Sequence, residues 1–133
     1  MKNVQQFFST RDQFARHAGL ELLTAAEGYA KVKMDIGNYH LNGVNTVHGG
    51  AIFTLADFAF AVASNANGRV AMGVNASISY LKAVTGGTLL AEAREVSLNH
   101  KLGHYLVNIY DEHNDLVAVF QGMVYRKQDE WQF

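Results

Sequence analysis

His48-Gly49-Gly50-Ala51-Ile52-Phe53-Thr54-Leu55-Ala56-Asp57-Phe58-Ala59-Phe60-Ala61-Val62-Ala63-Ser64-Asn65 is the stretch whose reading decides the fold. Between Ala51 and Ala63 only Thr54 and Asp57 are polar. The Ala, Leu and Phe content, without Pro or interior Gly, predicts a helix that is apolar nearly all round, and such a helix is buried. An ionised carboxylate in its middle costs on the order of several kcal/mol unless it is paired, hydrogen-bonded or facing a wet cleft. Two readings of Asp57 follow: an acid on the one exposed edge of the helix or paired with a Lys or Arg, or a functional carboxylate in a pocket. Ahead of it, Gly49-Gly50 leaves backbone N–H groups uncovered at the positive end of the helix dipole, where an anion or a developing oxyanion can be held. The same two glycines also suit a tight turn into the helix.

Working outward, the 133 residues fit one domain, 1–133, small enough for association to add much of its burial. Upstream, residues 3–18 set Val4, Phe7, Phe8, Phe14 and Ala15 among Gln, Arg and Asp, which predicts one or two short amphipathic helices, with Ser9 and Asp12 as a capping pair. Residues 20–27 and 29–35 read as two strands joined at Gly28, the second alternating cleanly between apolar and charged. A loop rich in Gly, Asn and His, residues 37–47, leads into the helix. Downstream, Asn65-Ala66-Asn67-Gly68 is a stop signal. Strands follow over residues 70–81, 88–98, 104–110 and 116–125, with turns at Gly86-Gly87, 99–103 and 112–115. The fold class is therefore α+β: one long helix wrapped by a curved antiparallel sheet, with a helical segment at the N-terminus. The polar tail from Arg126, carrying Trp131 and Phe133, is expected to be loosely held or to dock on a neighbouring subunit.

Composition removes several function classes. The net charge is −1 with no basic run, so nothing points to nucleic acid. Cysteine is absent, which excludes a disulfide framework, a thiol nucleophile and a cysteine zinc site. The six His form no HExxH or other close metal pattern, and no Gly-x-Ser-x-Gly elbow or phosphate loop occurs. Residues 1–6 have no apolar signal core, and no apolar run reaches the roughly 20 residues of a membrane span, so a cytoplasmic protein without membrane contact is expected.

Asn42, His48-Gly49-Gly50, Leu55-Ala56-Asp57 with Ala59-Phe60, and Ser79-Tyr80-Leu81 together resemble the hotdog-fold acyl-CoA thioesterases of the PaaI-like group, over about Gly19 to Arg126. The resemblance implies hydrolysis of an aryl, short or medium acyl-CoA to free acid and CoA without a cofactor. It implies a homodimer, paired into a homotetramer, in which Asp57 of one chain completes a pocket built from residues 42–49 of another. In that frame Asp57 is the general base or the nucleophile, and the Gly49 N–H polarises the carbonyl, because the first N–H groups of a helix lack internal partners. Asn42 orients water or the thioester through its amide, or else is a turn residue; His48 shapes the site.

The candidate substrate-binding residues are Gly50, Thr54, Asn75 and Lys82. Thr54 lies one turn before Asp57, where its hydroxyl reaches either that carboxylate or a helix carbonyl. Asn75 stands where some relatives place a small polar residue near the reacting water, and also reads as an outward strand residue. Lys82 resembles a basic residue that meets coenzyme A phosphates, and also reads as a solvated strand end. Two departures bear on that coenzyme A set: Ala83 stands where relatives carry Pro, and Asn99-His100 where they carry Gly-Lys or Gly-Arg, leaving Lys101 as a substitute. The alternatives are an acyl-CoA binding or sensing module without catalysis, and an enoyl-CoA hydratase.

Overall fold

The computed structural model describes residues 2–132. Alternation of apolar and charged residues in Tyr29-Ala-Lys-Val-Lys-Met-Asp35 does what a half-buried strand requires: Ala30, Val32 and Met34 have no exposure, and the lysines between them face outward. That strand, β2 (Tyr29–Asp35), pairs with β1 (Leu20–Ala26) through a turn in which Gly28 adopts φ +70°. Four further strands, β3 (Arg69–Tyr80), β4 (Thr88–Leu98), β5 (Leu102–Tyr110) and β6 (Leu116–Glu130), complete one sheet of order β1-β2-β4-β5-β6-β3, antiparallel throughout. The chain begins with α1 (Lys2–Arg11) and α2 (Gln13–His17), and α3 (Gly49–Asn65) lies across the concave face of the sheet. Seventeen residues make α3 about 25 Å long at 1.5 Å per residue.

Small side chains bring helix and sheet together. Ala56, Ala59 and Ala63 of α3 are fully buried, as are Ala30, Ala91 and Ala93 of β2 and β4, the strands on which much of α3 rests. Phe60 fills the space that glycines leave under the other half of the sheet: a Cβ on Gly122 would lie 2.7 Å from its ring, and one on Gly73 3.1 Å. Phe58 and Phe60 are therefore core residues.

Three expectations change in detail. Asp12 caps α2 by itself, its Oδ1 accepting the Ala15 N–H at 3.0 Å, so Ser9 is not its partner. In the β4–β5 hairpin Asn99 makes the turn, its Oδ1 accepting the N–H groups of Lys101 and Leu102 at 3.0 and 2.8 Å, and β5 starts two residues early. The tail is neither loose nor free. β6 runs on to Glu130, and Trp131 docks on its own chain, donating its N–H to the Gly68 carbonyl at 2.7 Å and its indole N–H to Asn65 Oδ1 at 2.8 Å. Its ring packs on Phe7 and Phe8 of α1, centroids 5.0 and 5.9 Å away. Phe133 lies outside the described residues.

One edge of the sheet is unusual. Among the described residues β3 pairs only with β6, so its outer edge is open along twelve residues, and Met72 and Val74 on it are more than half exposed. No helix among the described residues is long and apolar enough to cross a membrane.

Candidate active site

The loop before α3 is held by hydrogen bonds that its Asn and His residues were suited to make. Asn42 forms an Asx turn: its Oδ1 accepts the N–H groups of Val44 and Thr46 at 3.0 and 3.1 Å, and its Nδ2 donates to Thr46 Oγ1 at 2.9 Å. Both ends of the amide are thus used inside the loop, and within one chain Asn42 is the turn residue rather than the water-orienting one. His40 went unnoticed in the sequence, yet it is buried and central. Its Nδ1 accepts the Gly37 N–H at 2.9 Å, which puts the ring proton on Nε2, donated to the Ala18 carbonyl at 2.6 Å. The His40 carbonyl in turn accepts the His48 N–H at 2.7 Å, and the Val47 N–H goes to the Val84 carbonyl at 2.8 Å. The helix start is thereby tied to the end of α2 and to the segment after β3.

At that start the donors of the first turn are almost all taken. His48 is the N-cap, with extended φ −60° and ψ 135°; its Nδ1 accepts the Gly50 N–H at 2.8 Å, and its carbonyl accepts Ala51 and Ile52 N–H at 2.9 and 3.2 Å. Among the described residues no acceptor takes the Gly49 N–H. Gly49 lines a cleft of about 380 Å³ with Thr46, Val47, Ile52, Tyr80 and Leu81, within the size range of small-molecule sites.

Asp57 lies on the one open stripe of α3, with Gly50, Phe53, Thr54 and Ala61 as its least covered neighbours. It is exposed at the surface of the single chain, and no Lys or Arg among the described residues pairs with it. Its pKa is raised above the ordinary carboxylate value, first by partial desolvation against the surrounding protein and then by the negative charge of Asp12 at the start of α2. Thr54 does not reach it: the hydroxyl donates back to the Gly50 carbonyl at 2.8 Å.

The two remaining expected binding residues divide: Asn75 is placed elsewhere, whereas Lys82 lines the Gly49 cleft but is taken up by carboxylates. Asn75 is opposite Met123, between the buried positions Gly122 and Val124 of β6, so it belongs to the convex face, away from α3. Lys82 Nζ is held by Asp111 Oδ2 at 2.5 Å and Asp115 Oδ2 at 2.7 Å. These bonds raise the lysine pKa and lower that of Asp111. One cation between two carboxylates, with Glu112 in the same cleft, carries net negative charge and repels phosphate. Among the described residues no group of three His, Asp or Glu side chains can hold a metal ion.

A helix start with one free N–H, an unpaired carboxyl on the same helix and a hotdog sheet around them are parts that a hydrolase of activated carbonyls would use. The family comparison agrees: residues 44–118 match the thioesterase superfamily model. The chain belongs to that superfamily and, within it, to the PaaI-like hotdog thioesterases. It is 34% identical to the acyl-coenzyme A thioesterase PaaI of Escherichia coli over 86% of this chain and 83% of the relative. The solved structure of the E. coli PaaI protein superposes with a TM-score of 0.90 at 31% identity, covering 97% of this chain and 94% of that one. A Streptococcus mutans protein solved with acetyl CoA superposes at 0.80 with 26% identity, covering 84% and 91%.

Proposed function

We propose that the chain hydrolyses acyl-CoA thioesters to free acid and CoA at a site shared between two copies, with the Gly49 N–H of one chain and Asp57 of the other acting on the same carbonyl. The observation that carries the shared site is a distance. Eight residues separate Gly49 from Asp57 on one helix, a rise of about 12 Å at 1.5 Å per residue. A donor to the carbonyl oxygen and a group that attacks the carbonyl carbon must both come within about 3 Å of their atoms, so one chain cannot supply both. The open stripe around Asp57 and the open edge of β3 are surfaces a second chain would cover.

The chemistry follows from the two groups. Asp57 takes a proton from water as its oxygen bonds to the thioester carbon, or attacks that carbon itself to give an anhydride that water then opens. The oxygen gains negative charge in either route, the Gly49 N–H stabilises it, and collapse expels the CoA thiolate, which is then protonated. The raised pKa of Asp57 makes it a stronger base than an ordinary carboxylate. Support for acyl-CoA as the substrate class comes from the named activity of the E. coli relative and the acetyl CoA bound by the S. mutans one.

The test is free-thiol release from aryl, short and medium acyl-CoAs by wild type and Asp57→Asn. Turnover that is lost in the variant supports the proposal. Binding without release from any substrate would replace it with the acyl-CoA sensor, and loss of enoyl absorbance without thiol would replace it with the hydratase.

A further inference from the structure

Gly49 sits between two peptide planes, and its N–H belongs to the first. In the His48–Gly49 plane the carbonyl is held by Ala51 and Ile52, so the Gly49 N–H, trans to it across a planar bond, points away from the helix. In the Gly49–Gly50 plane the N–H is held by His48 Nδ1 at 2.8 Å, and the carbonyl accepts the Tyr80 hydroxyl at 3.0 Å. That carbonyl has two lone pairs, so the tyrosine bond adds to the helix ladder without displacing it. A glycine has no side chain to restrict φ and ψ, so these flanking bonds are what hold it.

Tyr80 is the one member of this set that comes from outside the loop and the helix. It closes β3 opposite the buried Ala118, two residues after Ile78 opposite the buried Phe120, and so turns toward the concave side. Its ring lies close over the glycine: a Cβ built on Gly49 would be 3.2 Å from both Cζ and Oη.

We propose that Tyr80 is a positioning residue of the hydrolytic site, its hydroxyl locking the Gly49–Gly50 peptide and its ring walling it, so that the free Gly49 N–H is already aimed where the thioester oxygen will sit. This rests on the thioesterase reading above. The value of such a lock is that a donor aimed in advance needs no reorganisation when charge develops on the oxygen. The Tyr80 hydroxyl acts through the peptide while the ring that lines the cleft is kept in the test, so loss of the hydroxyl should weaken turnover more than binding.

The experiment compares wild type with Tyr80→Phe, which deletes the hydroxyl and keeps the ring. The expected result is a kcat about tenfold lower with KM held within about twofold, the range for a slightly misaimed donor, and an unchanged melting temperature. The second readout is the carbonyl stretch of a 13C-labelled thioester bound to Asp57→Asn, in which the substrate survives. The red shift given by the Gly49 hydrogen bond should shrink in Asp57→Asn/Tyr80→Phe. An unchanged kcat in Tyr80→Phe overturns the proposal, and so does a loss of kcat that follows a loss of melting temperature with the carbonyl shift intact. Absence of thiol release by the wild type would instead overturn the thioesterase reading, and this proposal with it.

Discussion

Mixed oligomers give the sharpest test of the shared site, because the two groups can be removed on different chains. Asp57→Asn removes the base or nucleophile. Gly49→Pro removes the free N–H and sets the ring's Cδ in its place with little change of backbone: residue 49 is the first of α3, where Pro is favoured, and His48 at φ −60° and ψ 135° already has the extended conformation that precedes Pro. Tyr80 must yield a few tenths of an ångström to the new ring, since a Cβ there meets it at 3.2 Å. Loss of one oxyanion donor lowers kcat by about 10²–10³, some 3–4 kcal/mol, and loss of general-base catalysis costs about 10²–10⁴. Each variant alone is thus close to silent. Mix them one to one under conditions of chain exchange, and about half of the dimers carry one chain of each kind; symmetry leaves one of their two sites with both groups intact. Thiol release should return to about a quarter of the wild-type rate, with native mass spectrometry of tagged chains counting the mixed species. Mixed dimers that form without regaining activity would refute the reasoning.

Asp57→Asn should also raise the melting temperature at pH 7. The acid's pKa is raised on folding, so the native state binds the proton more tightly than the unfolded chain, and stability is lost as pH climbs from 3.8 through the folded value. The gain should vanish in melts below that range; an Asn variant no more stable than wild type at pH 7 would contradict the cause assigned to the shift. Lys82→Gln should leave KM for acyl-CoA within about twofold, because the lysine is neutralised by Asp111 and Asp115, and a tenfold rise would show that it meets the phosphates. Gly122→Ala should destabilise by about 1–3 kcal/mol in urea unfolding, since its Cβ falls 2.7 Å from the Phe60 ring, and a neutral result would mean that the ring moves freely. Trp131→Ala should cost about 2–4 kcal/mol, somewhat less than a fully buried tryptophan, through loss of the indole bond to Asn65 and the packing on Phe7 and Phe8.

The fold was legible because its signals are local. Alternation in residues 29–35, the all-apolar run of α3 and the Gly and Asn turns each report a period or a break within a few residues. The tail was not, because Trp131 is fixed by Asn65 and Gly68, more than sixty residues upstream, and its own neighbours are polar. The site divides the same way. Gly49 and His48 were readable from their place at a helix start, whereas the partners of Asn42, Thr54 and Lys82 depend on which of two nearby acceptors or carboxylates lies closer in space. Asn75 turned on strand register, where an extra residue between Gly73 and Asn75 decides the face. Register also hid the contact of Tyr80, which the sequence offered only within the Ser79-Tyr80-Leu81 of the family resemblance and whose reach to Gly49 depends on its facing the concave side.

The anomaly that first marked Asp57, an acid in a helix with no polar side, has its resolution in that same helix. A run apolar all round implies cover all round, yet the sheet and the N-terminal helices cover α3 only in part and leave the stripe through Gly50, Phe53, Thr54, Asp57 and Ala61 open. Phe53, packed edge-on to Phe120, is an apolar side chain left half-covered on that stripe. An acid flanked by apolar and small residues on an open stripe is costly to cover with an apolar surface but suits a surface that brings water and a carbonyl to it. The free N–H of Gly49 is the complementary oddity, a donor left unused at a helix start where its neighbours are all satisfied. Each feature is a local cost in one chain, and on the shared-site proposal the distance along α3 that keeps them apart is why a second chain is needed to use both.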